Sequence, residues 1–342
     1  MTSPAPVDRD LVEMMSAVFA AHREQHEPGT EISSWDTDLW ARLAELGLVR
    51  LTGSEAHGGS GAGWFEAAEL IGAAARHGVR VPLAEHDLLA GWLLETAGLP
   101  GDDLRRTVAI LDAIGIARAV PWAAQSERIT LVWHDGTTHR IADVATDTLD
   151  ITPGANRAGE PRDTVTAPLS VLSGTAVPET VIAQLRLRGA LVRAVQMCAA
   201  LDRILEMSIA HTTARVQFGR PLAKFQAIAH LVADIAGEAS LARATTEAAI
   251  TEAVRTDWAG KNLEFLVAVA RSCAGHAASV VVRNAHQVHG AIGTTREHRL
   301  HEFTQPALAW RSEFGSVRYW DDYLTAAALT AGSDGLWALI TA

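Results

Sequence analysis

Apolar residues recur at helical spacing along most of the chain. Leu11, Met14, Met15, Val18 and Phe19 share one side of a helix predicted over residues 11–22. A second is predicted over 39–46, with Ser34 and Asp36 as candidate caps and Gly47 as its stop. A third covers 64–75 and ends near His77-Gly78. A fourth covers 83–97, between Pro82 and Gly98-Leu99-Pro100. After Asp103 the texture changes. Short runs rich in Val, Ile and Thr at 107–116, 129–133 and 139–144, separated by turn signals such as Asp135-Gly136, read as strands, and 152–163 reads as loop. From Glu179 the helical pattern returns over 181–214, 225–254, 262–288 and 312–340. Four such helices with short connections imply an antiparallel bundle. The expected fold is mainly α with a small central β-domain: an N-terminal helical domain over 1–104, a reduced β-domain over 105–178 and a C-terminal four-helix bundle over 179–342.

Composition narrows the function classes. A formal charge of -11 argues against a nucleic-acid backbone as partner, because phosphates need clustered Lys and Arg. The two cysteines, Cys198 and Cys273, sit in apolar helical patterns, so reduced buried thiols and a cytoplasmic location are expected. Residues 1–10 lack an apolar core and do not read as a signal peptide. No uninterrupted apolar run reaches the roughly 20 residues that span a bilayer, so no membrane partner is expected.

Several clusters invite chemistry. The loop His57-Gly58-Gly59-Ser60-Gly61-Ala62-Gly63 suggests dinucleotide binding, but its glycines miss the G-x-G-x-x-G spacing and the next candidate strand contains Pro82. A helix-to-helix loop is expected instead. His286 with His289, and His298 with His301, form two i,i+3 pairs of the kind that bind zinc. A glycine break separates the pairs and no H-E-x-x-H arrangement appears, so they read as core and interface residues and no metal is expected. The stretch Arg215-Val216-Gln217-Phe218-Gly219-Arg220-Pro221, followed by Lys224-Phe225-Gln226, places a guanidinium and a glycine turn between two long helices. An arginine at such a corner can hold a phosphate bidentately or cap helix carbonyls. Further on stands Gln287-Val288-His289-Gly290-Ala291-Ile292-Gly293.

The order and spacing of these two blocks resemble the acyl-CoA dehydrogenase family. The resemblance extends to Leu43-x-x-Leu46-Gly47-Leu48 and to Thr294-Thr295-Arg296-Glu297-His298-Arg299-Leu300-His301, and it is weakest between Arg105 and Pro178. It implies FAD as cofactor and an acyl-CoA thioester as substrate. It assigns Arg215, Gln217, Phe218 and Gln226 to one half of the FAD site and Gln287, Gly290 and Gly293 to the other, the two blocks reaching one FAD from neighbouring subunits. Ala291 replaces a family glycine. The family's T-E-P-x-A-G-S-D flavin-ring motif has no equivalent beyond Pro121-Trp122-Ala123-Ala124.

The family's reaction needs a carboxylate base in a dry pocket. The two positions where relatives carry that glutamate fall here at Phe314 and Gly189. Glu313 is the nearest candidate, but one helical step turns a side chain about 100°. Its other reading is an exposed residue paired with Arg311 or Arg318. Within the family, a two-subunit α₂β₂ branch acts on steroid side-chain CoA thioesters, and one of its subunits lacks the glutamate. This chain resembles that subunit, which implies a homologous partner subunit. The alternatives are a self-sufficient homo-oligomer using Glu313 and a scaffold that has lost FAD. The many tryptophans either line a wide acyl pocket or fill the core.

Overall fold

A computed structural model of the chain describes residues 7–26 and 33–341. Of the segment expected not to be a signal peptide, residues 1–6 lie outside the described part. The chain forms two compact units, Val7–Gly189 and Ala190–Ala342.

The first unit opens with α1 (Arg9–Gln25), α2 (Thr37–Glu45) and α3 (Trp64–His77). Met15 and Phe19 of α1 are fully buried, as the 3.6-residue repeat requires. Asp36 caps α2 by accepting from the amides of Asp38 and Leu39 at 3.1 and 2.8 Å. The glycine-rich loop before α3 folds back on residues 50–53: the amides of Ser60, Gly61 and Ala62 donate to the carbonyls of Arg50, Gly53 and Leu51. A Cβ on Gly59 would lie 2.0 Å from the Gly53 carbonyl oxygen. These amides are spent on the chain itself and do not cradle a phosphate.

The segment predicted as a plain α-helix over 83–97 differs. Ala84–Gly91 is π-helical and runs into a short α4 (Trp92–Thr96). Residues 84–90 are buried on every side, so no one-faced apolar pattern distinguishes this i→i+5 winding from an α-helix. The turn buries Glu85, His86 and Asp87, at 3%, 4% and 6% exposure. Asp87 accepts from the amide and hydroxyl of Thr52 at 2.9 and 3.0 Å. His86 Nδ1 accepts from the Arg106 amide at 3.1 Å.

The strands form two sheets. β1 (Arg106–Ile110), β3 (Arg128–His134), β4 (His139–Ala145) and β7 (Thr175–Val177) lie in the order β1-β3-β4-β7, with β1 and β3 parallel and the rest antiparallel. β2 (Ile116–Pro121), β6 (Arg162–Thr166) and β5 (Asp150–Thr152) form the antiparallel order β2-β6-β5. Ala109, Ile129, Leu131, Trp133 and Val165 fill one core. The single strand predicted over 107–116 is two strands. Asp112 Oδ1 accepts from the amides of Ile114 and Ile116, and Gly115 takes φ 80°, which turns the chain between β1 and β2.

The second unit contains the bundle. α5 (Glu179–Ala214) enters it, the two-residue strands β8 (Val216–Gln217) and β9 (Arg220–Pro221) turn the chain, and α6 (Gln226–Arg255), α7 (Leu263–His289), α8 (His301–Trp310) and α9 (Val317–Thr341) follow. Alanines at 239, 242, 249 and 253 on α6, and at 270, 274 and 277 on α7, are buried where these helices pack. The predicted helix over 312–340 begins five residues late, because residues 311–316 form a loop, and it breaks at Gly332 (φ 64°, ψ -177°). α8 is an additional helix. Among the described residues one helical stretch, Leu263–Thr294, is long and apolar enough to cross a membrane, but more than half of that window is buried inside the bundle, as in a core helix.

Burial raises the Asp87 carboxyl to about 6, against the Thr52 bonds that lower it, and lowers the His86 imidazole to about 3, with the Arg106 charge adding to the effect. Between about pH 4 and 6 the folded chain keeps a proton on Asp87 that the unfolded chain has released, so this group lowers stability as pH rises through that window. His86 acts oppositely: the unfolded chain takes up its proton first, so stability falls as pH drops below about 6.5. Asp87→Asn retains an acceptor for Thr52 and removes the opposing slope. Calorimetry at stepped pH is expected to show the variant losing melting temperature more steeply on acidification from pH 6 to 4 than the parent. Parallel profiles would show that Asp87 titrates normally.

Candidate functional site

The corner after α5 is an exposed hairpin. The Arg215 amide still bonds the His211 carbonyl at 2.9 Å, continuing the helix by one residue, and the Leu222 amide returns to the Arg215 carbonyl at 2.9 Å. Gln217 pairs with Arg220, and Phe218-Gly219 turn the chain at φ 50° and 80°. Positive φ at both turn positions fits the tight twist of a two-residue hairpin. Phe218 is 90% exposed, and Arg215, Gln217 and Gln226 are exposed around it. The Arg220 guanidinium covers the Phe225 ring at 4.2 Å, and the Phe218 ring lies 6.1 Å from that of Phe225. An exposed guanidinium, two amide side chains and an aromatic face thus stand together, uncovered by the second unit's own core.

The second block lies at the end of α7. Gln287 and Gly290 are exposed, and a Cβ on Gly290 (φ 65°) would meet nothing within 4 Å. Gly293 is buried, and a Cβ there would lie 2.7 Å from the His289 Cβ. It therefore holds the turn that follows α7 and presents no surface to a ligand. Ala291 is exposed. The rings of His211 and His289 lie 4.6 Å apart. Because His211 is four residues before Arg215 and His289 two after Gln287, both blocks occupy one end of the same bundle. The sequence reading placed them on separate subunits around one FAD; this geometry lets a single chain present both.

The histidines pair differently from their spacing. His289 meets His298 at 4.8 Å and His211 at 4.6 Å, in place of the i,i+3 pairs. α7 ends at His289, so the helical periodicity behind the 298/301 pairing does not carry across the break. His301 Nδ1 instead bonds the His298 carbonyl at 2.9 Å. Burial lowers the proton affinity of all three clustered imidazoles, most for His289, to about 4, where the neighbouring His211 and His298 add to the effect.

Phe314 stands in the loop between α8 and α9 at φ 52°, followed by Gly315 at φ 105°. Glu313 does not face solvent with Arg311 or Arg318. Its Oε2 accepts from Arg193 Nε at 2.7 Å, and the Arg193 side chain is only 2% exposed. The Arg193 guanidinium also lies 5.8 Å from the Phe314 ring. A carboxylate engaged by a buried guanidinium serves as its counterion. Gly189, the other family position, has no side chain, and its neighbour Arg188 stacks 4.1 Å from Trp92 and 5.5 Å from Trp64.

The strand unit has spent the residues nearest to the missing flavin-ring motif on its own core. Trp122 adopts φ 57°, is 3% exposed and packs 6.0 Å from Trp35, which meets Trp40 at 4.8 Å. Trp35, Trp40, Trp64 and Trp122 are buried and fill the interior, and Trp133, also buried, borders an open cavity of about 430 Å³ with His134, Arg140 and Leu172. Arg193 and Arg271 escaped the sequence reading. Two arginines within otherwise apolar helical stripes were the available signal, since a buried arginine requires a carboxylate or carbonyl partner.

Comparison with known proteins gives the family. Residues 8–100 match the acyl-CoA dehydrogenase N-terminal domain, and residues 174–317 match the acyl-CoA dehydrogenase C-terminal domain. The acyl-CoA dehydrogenase IpdE2 of Mycolicibacterium smegmatis is 27% identical over 306 residues, covering 85% of this chain and 89% of that protein. The ChsE4-ChsE5 complex from Mycobacterium tuberculosis contains a chain that superposes with a TM-score of 0.82 at 20% identity, covering 97% of this chain and 99% of that one. A chain of the Tcur3481-Tcur3483 steroid ACAD G363A variant superposes with a TM-score of 0.82 at 21% identity, covering 94% and 98%. These structural likenesses speak to the fold. The chain belongs to the acyl-CoA dehydrogenase family.

If Glu313 is a counterion, Glu313→Gln should lower unfolding free energy by roughly 2 kcal/mol, since Arg193 keeps a hydrogen bond but loses its charge partner. Denaturant unfolding checks this, and unchanged stability would return Glu313 to the candidates for a base.

Proposed function

We propose that this chain is the base-deficient subunit of an FAD-dependent acyl-CoA dehydrogenase, and that it works in a heteromer whose homologous partner supplies the carboxylate. The observation that carries the reading is the 311–316 loop: Phe314 stands where the family's glutamate is expected, and the adjacent Glu313 is tied to Arg193 at 2.7 Å. The names of the similar structures agree with a heteromer, since both name two components, and one of them is described as a steroid ACAD. A bulky, steroid-like acyl group is accordingly the proposed substrate class.

The exposed residues at the bundle end fit the adenosine and pyrophosphate part of FAD. Arg215 offers a planar fork suited to phosphate oxygens, while Gln217, Gln226 and Gln287 offer amides. Phe218 offers an uncovered ring face at 90% exposure, a costly display without a covering ligand or subunit. Gly290 leaves the backbone open to close approach. The flavin-ring side fits less well, because Trp122 and its neighbours are folded into the core, so the ring belongs with the partner. FAD held there would supply the hydride acceptor for the thioester's β-carbon. This chain's residues anchor the dinucleotide, and the proton from the α-carbon goes to the partner's carboxylate.

Two measurements test the proposal. The chain purified alone is expected to be colourless or weakly flavinylated and inactive on an acyl-CoA panel. Co-expressed with a homologue that carries the glutamate, it should co-purify as a yellow, active complex; active yellow protein from this chain alone would overturn the reading. Within the complex, Arg215→Ala is expected to weaken FAD retention about tenfold to a hundredfold, read by flavin fluorescence during dilution. Unchanged retention would remove the corner from the FAD site.

A further inference from the structure

Beside the proposed anchor, three imidazoles converge from three segments: His211 in the last turn of α5, His289 at the end of α7 and His298 just before α8. Each offers one nitrogen, and the three lie within 4.8 Å of one another. His289 is 5% exposed, and its Nδ1 stands 2.8 Å from the Ala285 carbonyl oxygen. A carbonyl can only accept, so Nδ1 carries the proton and Nε2 holds a lone pair. That Nε2 is buried and finds no hydrogen-bond partner among the described residues.

We propose that His211, His289 and His298 form a binding site for a divalent transition metal ion of the zinc class. The donor set matches: three neutral imidazoles suit Zn²⁺ and its neighbours, and the trio brings none of the oxygen ligands that Mg²⁺ and Ca²⁺ require. An imidazole oriented by a backbone carbonyl through its far nitrogen is the usual outer support of a metal-binding histidine. With metal–nitrogen bonds of about 2.0 Å, tetrahedral ligands stand about 3.3 Å apart, so the widest pair must close by about 1.5 Å through ring rotation. One bond is exchanged on loading. The Leu300 amide donates to His298 Nδ1 at 3.2 Å. Binding through Nδ1 takes that lone pair, and binding through Nε2 moves the proton onto Nδ1, so either route releases the Leu300 contact. His211 and His298 are partly exposed, which leaves a fourth position for water. The site stands on these residues alone and does not depend on the flavin reading. Its structural effect would be to clamp the end of α5 to the segment that follows α7.

The test uses the full-length chain without a histidine tag, stripped with chelator and titrated with Co²⁺. The expected result is one ion per chain, with the visible ligand-field bands of a tetrahedral or five-coordinate nitrogen site, displaced by Zn²⁺. His211→Gln, which alters a partly exposed side chain, should weaken Co²⁺ binding at least tenfold, and His289→Gln should do the same if it folds. The exposed His230→Gln serves as the control and should bind as the parent does. Zn²⁺ should raise the melting temperature of the parent and not that of His211→Gln. Absence of the bands in the parent, or equal binding by parent and His211→Gln, would overturn the proposal.

Discussion

The buried guanidinium of Arg271 organises the part of the bundle on which the functional reading turns. Its Nη2 lies 2.8–3.2 Å from the carbonyls of Trp310, Arg311, Glu313 and Gly315. These are the carbonyls left over where α8 ends and the chain twists through two left-handed residues. Burial lowers Arg271 to about 10, with the Arg193 charge adding to the effect, so it remains cationic at neutral pH. Two guanidinium groups thus share one apolar interior, and Glu313 is the carboxylate that offsets them. The loop that carries Phe314 also commits the adjacent acid, Glu313, to Arg193 at 2.7 Å.

Around this arrangement the chain keeps the architecture of its family. In the strand unit, Trp122 has been drawn into an aromatic cluster with Trp35 and Trp40. In the bundle, by contrast, Arg215, Gln217 and Phe218 are exposed, outside the buried core of their unit. Interior positions have taken over structural duties, and the residues suited to a ligand are concentrated at one outward end.

Much of this was legible in the sequence, and the failures have physical causes. The long helices were readable because their apolar stripes persist over many turns. α8 was not, being ten residues long with Pro306 inside it. The π-helical turn at 84–91 escaped because residues 84–90 are buried all round and present no single apolar face to read. Asp112 and Gly115 broke an expected strand through local side-chain bonds that no alternation pattern records. For the candidate site, Arg215, Gln217 and Phe218 could be singled out because their chemistry is contiguous. The roles of Arg193, Arg271 and the histidine cluster were not, because each joins residues far apart in the chain.

The backbone at Phe218 carries a further implication. Held at φ 50°, it occupies a conformation that glycine, asparagine and aspartate tolerate far better than a bulky ring does. Mutation alone would therefore drift this position toward those smaller residues and gain stability as it went. An aromatic ring at such a strained and uncovered spot therefore costs the free chain stability, a cost that a surface closing over the ring would offset.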